Sequence, residues 1–119
     1  MVVDDNPMNM LLISEVLKKM GFEVIQMSNG KEALASLPFY DPVLIFMDVN
    51  MPEIDGYTTT RLIRKLPEPH RRIPIIALTA DAMKGDREKC LEAGMNNYIS
   101  KPFRLEDIEN LLRNYMLMV

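Results

Sequence analysis

The sequence lacks several features that define common classes of protein. Its single cysteine, Cys90, cannot form an internal disulfide, and its single histidine, His70, leaves no Cys/His cluster of the kind that binds zinc. No apolar run reaches the roughly 20 residues that a membrane-spanning helix requires. The N-terminus has neither the basic segment nor the long apolar run of a secretory signal. These absences argue against a secreted or membrane-spanning protein, and we expect a cytoplasmic chain that makes no membrane contact of its own.

An excess of positive charge is also absent. The 14 Lys and Arg residues are outnumbered by 17 Asp and Glu residues, which gives a formal net charge of −3. Non-specific nucleic-acid binding needs a basic surface, so direct nucleic-acid contact is not expected. With 119 residues, 48% of them hydrophobic and 26% charged, the chain has the size and composition of one soluble globular domain.

One stretch organises the rest of the chain. Five apolar residues at positions 43–47 lead directly into Asp48, with Pro42 before them and Pro52 shortly after. A short, continuous apolar run between turn signals is typical of a strand that is buried on both faces of a parallel sheet. Asp48 is then expected at the carboxyl end of a central strand, which is the edge where open α/β sheets bind their ligands.

Strand and helix signals alternate along the whole chain. Asn6 and Pro7 predict the start of the first helix, and Pro38 is expected to end the second helix. The alternation predicts an α/β fold: a single doubly wound (βα)5 domain with a five-stranded parallel sheet of order 2-1-3-4-5. The predicted strands are 2–3, 22–27, 43–48, 75–79 and 97–100, the predicted helices are 7–20, 31–37, 57–65, 84–93 and 105–118, and the apolar face of the first helix is formed by Met8, Leu11, Leu12, Val16, Leu17 and Met20.

Several polar residues follow these strands at the same predicted edge of the sheet. Asp4 and Asp5 follow the first strand, Asp48 ends the third, Thr79 ends the fourth, and Lys101 follows the fifth. Three neighbouring carboxylates oppose one another's ionisation, and a single lysine cannot balance them. A hard divalent cation with oxygen ligands is the natural remedy. The sequence therefore predicts a Mg²⁺ site, with Mn²⁺ left open as an alternative ion.

A divalent cation beside acids, a lysine and a hydroxyl also suits phosphoryl transfer. His70 lies in a proline-rich loop and is not placed to act as a base. A carboxylate needs no base, because it is already ionised and can attack phosphorus directly. Asp48 is the best placed of the acids, on the central strand, so the predicted product is an aspartyl phosphate.

Four segments then match one family in order and spacing. The stretches 3–7, 47–56, 75–80 and 98–103 resemble the motifs of receiver domains in two-component signalling, which have a flavodoxin-like fold, and the resemblance covers essentially all of 1–119. It implies that Asp48 is the phosphoacceptor. In the positions of this chain, Asp5, Asp48 and the backbone carbonyl of Asn50 would then hold Mg²⁺, and Asp4 would act through a metal-bound water.

The same resemblance assigns further roles. Lys101 would contact the phosphoryl group, and Thr79 with Tyr98 would form the switch pair that changes the face made by the fourth helix, the fifth strand and the last helix. The side chains of Asn50 and Asp81, each two positions after a site residue, would tune dephosphorylation. Such a domain catalyses its own phosphorylation and dephosphorylation without being a multiple-turnover enzyme on small substrates.

Two stretches, 6–9 and 80–95, are most similar to receivers of hybrid sensor histidine kinases. The implied phosphodonor is a phosphohistidine on a histidine kinase or a histidine phosphotransfer protein. The first strand is shorter than in the family, so we expect the receiver domain to be truncated at its N-terminus, as a piece of a larger, membrane-bound sensor kinase. A stand-alone single-domain response regulator is the alternative, and homodimerisation is left open.

The sequence is also compatible with other interpretations of these residues. A small Mg²⁺-dependent phosphohydrolase would prefer an acid at the position of Asn50, and a flavodoxin-type binding module would need a phosphate-binding loop where the chain has Asp-Asp-Asn-Pro. Tyr98 is equally compatible with core packing. Cys90 is expected to be a buried apolar side chain, and His70 to face solvent. A solvated basic patch is predicted from Arg61, Arg64, Lys65, Arg71 and Arg72.

Overall fold

The structure, a computed structural model, describes residues 1–80 and 84–116. All strand pairs are parallel and the sheet order is β2-β1-β3-β4-β5, which confirms the predicted doubly wound fold. The strands are β1 Val2–Val3, β2 Gln26–Met27, β3 Ile45–Asp48, β4 Ile75–Thr79 and β5 Asn97–Ser100, the helices are α1 Pro7–Lys19, α2 Gly30–Tyr40, α3 Gly56–Arg64, α4 Lys84–Ala93 and α5 Leu105–Met116, and a 3-10 turn spans His70–Arg72.

The central strands are apolar on both sides because helices cover both faces of the sheet. Every residue of β3 and β4 is buried. Along β3, Met47 faces a core shared with α2, α3 and α4, while Phe46 faces a second core shared with α1 and α5. Burying a large apolar side chain contributes about 1.5–3 kcal/mol, so these two layers hold the sheet in place and fix the position of its carboxyl edge.

The predicted apolar face of α1 is wrong in its first half. Met8, Leu11 and Leu12 are exposed, by 73%, 55% and 40%, whereas Ile13 and Ser14 are buried. The reason lies in the sequence itself, because residues 8–13 are almost continuously apolar and a periodic pattern there fits more than one face. The helix packs on the sheet mainly through its second half, where Ile13, Val16 and Leu17 are buried, which leaves the start of α1 exposed.

Two predicted boundaries are also wrong. The helix α2 does not stop at Pro38 but continues to Tyr40, where Asp41 takes a left-handed conformation (φ 46°) and donates its N–H to the carbonyl of Leu37. Pro38 removes one N–H donor, but the chain still completes the turn after it, because the N–H of Asp41 bonds to the carbonyl of Leu37. The predicted strand 22–27 shortens to two residues, since its neighbour β1 is itself only two residues long.

The start of α1 follows the prediction. The side-chain oxygen of Asn6 accepts hydrogen bonds from the N–H groups of Met8 and Asn9, and Pro7 is the first helical residue. This cap places the loop 4–6 directly above β1. Within the described residues, no helix is both long enough and apolar enough to cross a bilayer.

Candidate functional site

Three carboxylates meet at the carboxyl edge of the sheet. Pairing of Val3 with Met47 sets the end of β1 beside the end of β3, and Asp4, Asp5 and Asp48 each offer an oxygen within 4.8 Å of the others. Asp4 and Asp48 are buried, while Asp5 is exposed. The structure therefore brings together the three acids that the sequence placed at separate strand ends.

Lys101 is the cation that faces this group of acids. Its ammonium nitrogen lies 3.2 Å from Oδ1 of Asp48 and 3.9 Å from Oδ2 of Asp4. The backbone N–H of Asn50 donates a second hydrogen bond to Oδ1 of Asp48, at 3.2 Å. The backbone N–H of Asn6 donates to Oδ1 of Asp4, at 2.9 Å. Both buried acids are thus held in fixed orientations by neighbouring donors.

Among the described residues at this edge, negative charge still exceeds positive charge. Burial, reinforced by the nearby charge of Asp4, raises the pKa of Asp48 to about 6, although Lys101 and the N–H of Asn50 oppose the rise. Within the described part of the chain, Oδ2 of Asp4 is a buried oxygen with no hydrogen-bond partner. A buried polar atom of this kind is costly unless something binds it. An oxygen-liganded divalent cation such as Mg²⁺ fits this set of donors, with Asp5 accessible from solvent as a further ligand.

The loop after Asp48 is held down by the start of α3. Asp55 caps this helix by accepting the N–H of Thr58 at 2.7 Å, and the N–H of Gly56 donates to the carbonyl of Val49 at 3.1 Å. A Cβ atom at position 56 would overlap the carbonyl oxygen of Asp48 and lie 2.8 Å from Cα of Val49. Only glycine fits this close approach, which fixes the backbone around Asn50.

The predicted switch residues share one face of the sheet. Ala77 pairs with Tyr98 and Thr79 pairs with Ser100, so Thr79 and Tyr98 lie two residues apart along that face. Thr79 is buried, and its carbonyl accepts the N–H of Lys101 at 2.7 Å. Tyr98 is partly buried against the core that includes α4. Asp81, predicted to tune dephosphorylation, lies outside the described residues, and the side chain of Asn50 is exposed.

One polar partner of this region was missed by the sequence analysis. The hydroxyl of Thr79 donates a hydrogen bond to Oδ2 of Asp86, at 3.2 Å, in the first turn of α4. The only signal in the sequence is an acid at the start of a helix, which is commonplace because carboxylates favour helix N-termini. Whether the side chain of Asp86 points toward β4 depends on how α4 is rotated about its axis, and the polar sequence of this helix does not determine the rotation.

Two predictions for residues away from the site are wrong. Arg64 is not a solvated charge, because its guanidinium donates to the carbonyls of Arg71, Ile73 and Gly94 and to the amide oxygen of Asn96, each at 2.8 Å. The side chain of His70 is only 19% exposed and lies 3.8 Å from the carboxylate of Asp41. Cys90 is buried, as predicted.

Comparison with known proteins identifies the family to which the chain is similar. The response regulator receiver domain family matches residues 1–113. The signal transduction histidine-protein kinase BarA of Shigella flexneri is 43% identical over 115 residues, which cover 97% of this chain and 12% of that kinase. The polar-differentiation response regulator DivK of Brucella anthropi is 39% identical over 116 residues, which cover 98% of this chain and 94% of DivK.

A solved structure agrees with this match. The receiver domain of the sensor histidine kinase PA1611 from Pseudomonas aeruginosa, crystallised with a magnesium ion coordinated in the active site cleft, is 43% identical and superposes with a TM-score of 0.87 over 96% of this chain and 93% of that one. The chain spans about a tenth of the histidine kinases that it resembles. Because the family match covers nearly its whole length, the chain belongs to the response regulator receiver domain family and is a receiver domain of two-component signalling.

Proposed function

We propose that this receiver domain accepts a phosphoryl group on Asp48 from a phosphohistidine of a histidine kinase or a histidine phosphotransfer protein. The observation that carries the proposal is the convergence of three carboxylates and one lysine at the carboxyl edge of the sheet. Asp48 is central in this arrangement, since it ends the middle strand of the sheet and is the acid closest to the ammonium of Lys101. The whole chain, 1–119, is assigned to this one domain.

The donor set supports a divalent cation beside the phosphoacceptor. Asp5, Asp48 and the carbonyl of Asn50 would hold Mg²⁺, with Mn²⁺ as the alternative ion, and Asp4 would bind it through a water. The bound cation would neutralise charge on the phosphoryl oxygens. The buried Oδ2 of Asp4, which accepts no hydrogen bond from the described residues, supports this assignment, as does the magnesium ion in the receiver domain of PA1611.

The transfer itself needs no general base. A carboxylate oxygen of Asp48 attacks phosphorus, the bond from phosphorus to the histidine nitrogen breaks, and its electron pair remains on the imidazole ring of the partner. Lys101 is placed to contact a phosphoryl oxygen, because its ammonium already lies beside Oδ1 of Asp48. Water attack on the resulting aspartyl phosphate reverses the modification, and Asn50 and Asp81 are proposed to set its rate.

Phosphorylation is then proposed to act through Thr79 and Tyr98. The phosphoryl group adds negative charge and acceptor oxygens at the end of β3. The hydroxyl of Thr79 would turn toward a phosphoryl oxygen, and the ring of Tyr98 would move into the space that Thr79 leaves. Their common face of the sheet supports this pairing. The surface formed by α4, β5 and α5 would change as a shift between two existing conformations.

The setting of the domain is inferred from its relatives. The kinases BarA and hybrid signal transduction histidine kinase C contain a segment similar to this chain, which favours the receiver part of a hybrid histidine kinase on the cytoplasmic side of a membrane. DivK, nearly all of which the chain covers, supports the alternative of a stand-alone regulator. Homodimerisation stays open in both settings, and the acidic balance argues against direct nucleic-acid contact.

The direct test is incubation with acetyl phosphate and Mg²⁺, followed by intact-mass measurement. We expect one acid-stable, base-labile phosphoryl group per chain, which is absent from Asp48→Asn and after addition of EDTA. Undiminished labelling of Asp48→Asn would contradict the assignment of the phosphoacceptor. Steady turnover of many different phosphorylated substrates would instead favour a phosphohydrolase.

A further inference from the structure

The hydrogen bond between Thr79 and Asp86 links the end of β4 to α4. The hydroxyl of Thr79 donates to Asp86 at 3.2 Å, while the carbonyl of the same residue accepts the N–H of Lys101 at 2.7 Å. One residue therefore contacts both the helix and the segment that carries the site lysine. A change in the direction of its side chain would be transmitted to α4.

Asp86 belongs to a polar contact between α3 and α4. On the same face of α4, Cys90 lies close to Tyr57 of α3. Burial, together with the charges of Cys90 and Asp86, raises the pKa of Tyr57. Asp86 is partly buried in this position, whereas Glu88, on the same helix, is exposed.

The described part of α4 has few apolar contacts to hold it in place. Between positions 85 and 93, only Cys90 and Ala93 are buried. The hydrogen bond from Thr79 therefore adds a polar contact that helps to position the first turn of this helix.

The hydroxyl of Thr79 has a single proton to donate. It cannot donate that proton to Asp86 and to a phosphoryl oxygen at the same time. We infer that Asp86 is a positioning residue that holds Thr79 away from Asp48 in the unphosphorylated domain, so that phosphorylation must break this bond and in doing so releases the start of α4. The inference rests on the proposed function of Asp48.

A positioning role for Asp86 predicts that its removal strengthens binding of a phosphoryl analogue, which a purely structural role would not. If Asp86 competes with the phosphoryl group for the hydroxyl, removing the carboxylate should favour the activated conformation and tighten binding of a phosphoryl analogue. The loss of a contact that merely supports the fold should leave binding unchanged or weaken it.

The experiment measures binding of beryllofluoride, a phosphoryl analogue, in the presence of Mg²⁺, by intrinsic tyrosine fluorescence or calorimetry. We expect Asp86→Ala to bind about tenfold more tightly than the wild type, and Asp86→Asn, which keeps a neutral acceptor, to bind about threefold more tightly. The matched control is Glu88→Gln, which removes one negative charge from an exposed position of the same helix and should change the affinity by less than about twofold.

The decisive comparison repeats Asp86→Ala in a Thr79→Val background. Without the hydroxyl there is nothing for Asp86 to hold, so the gain should fall below about twofold. An equal gain in both backgrounds would overturn the inference, since it would reflect only the loss of negative charge near the site. Unchanged or weaker binding by Asp86→Ala would overturn it as well.

The outcomes also separate this inference from the proposed function. If the wild type binds no beryllofluoride, or if Asp48→Asn binds it equally well, the phosphoacceptor assignment fails and this inference fails with it. Binding that depends on Asp48 but not on Asp86 rejects the inference alone. Thermal unfolding of each variant identifies loss of folding, and if Asp86→Ala does not fold, the threefold effect of Asp86→Asn decides.

Discussion

The two edges of the sheet use charge in opposite ways. At the carboxyl edge, Asp4, Asp5 and Asp48 lie together, the ammonium of Lys101 faces Asp4 and Asp48, and burial of Asp48 raises its pKa. At the amino edge, the guanidinium of Arg64 donates to four oxygens of the segments before β4 and β5, with no carboxylate among them. The first edge keeps charge unbalanced and open to a ligand, whereas the second satisfies its charge within the protein. We therefore expect the amino edge to contribute mainly to stability and the carboxyl edge mainly to the proposed phosphoryl chemistry.

The largest effect should come from Asp48→Asn. The substitution removes the proposed nucleophile at the carboxyl edge and changes nothing at the amino edge, so labelling by acetyl phosphate should fall to background while the free energy of unfolding is maintained or increased. Intact-mass measurement checks the predicted loss of labelling, and urea unfolding of the same preparation checks the predicted stability. A destabilised variant would show that Asp48 is needed for the fold, and the contrast between the edges would be lost.

Arg64→Ala should give the opposite result. It leaves two partly buried carbonyl oxygens and two exposed oxygens without their donor, and we expect a loss of about 2–4 kcal/mol in the free energy of unfolding. Arg64→Lys should recover only part of this, because an ammonium cannot reproduce the fork of the guanidinium. The control is Arg61→Ala, an exposed residue of the same helix, with an expected change below about 0.5 kcal/mol. Beryllofluoride binding by folded Arg64→Ala should match the wild type.

The pH dependence of stability without metal should reveal the charge at the carboxyl edge. The pKa of Asp48 is raised to about 6 in the folded protein, so between about pH 4 and pH 6 the folded state binds more protons than the unfolded state. The free energy of unfolding should therefore fall as the pH rises through this range, by at most about 3 kcal/mol. Urea unfolding in EDTA at several pH values measures this change in the free energy of unfolding. Asp48→Asn serves as the reference, because it lacks the carboxyl group that titrates in this range. A parallel pH profile for the two proteins would contradict the prediction.

The smallest effect is expected from His70→Gln, also at the amino edge. The ring lies 3.8 Å from the exposed carboxylate of Asp41, and such ion pairs contribute about 0–1 kcal/mol. A small loss in urea unfolding would confirm that this edge depends on the hydrogen bonds of Arg64 and not on charge in general. A loss as large as that of Arg64→Ala would contradict this.

The difference between the two edges also explains what could be predicted from sequence. Asp4, Asp5 and Asp48 were found because each directly follows an apolar strand, and the carboxyl ends of parallel strands meet at one edge. The sheet order followed from the alternation of strands and helices. These inferences need only the periodicity of apolar residues and the positions of the polar residues along the chain.

The errors share a different cause. The contacts of Arg64 and the bond from Thr79 to Asp86 depend on the rotation of α3 and α4 against the sheet. In α1, nearly continuous apolar residues hid which face is buried, so Leu11 was placed in the core and Ile13 was overlooked. Pro38 was read as a stop signal because its position relative to the helix end was unknown. Long-range packing decides each of these cases.

The close approach of Gly56 to Asp48 has a practical consequence for engineering. Since the backbone at position 56 lies against the carbonyl of Asp48 with no space for a Cβ atom, the loop between them has no slack for an inserted tag, linker or fluorophore. A biosensor built on this domain should carry its reporter on the exposed Phe39, at the end of α2 that leads to the amino end of β3 and not to its carboxyl end.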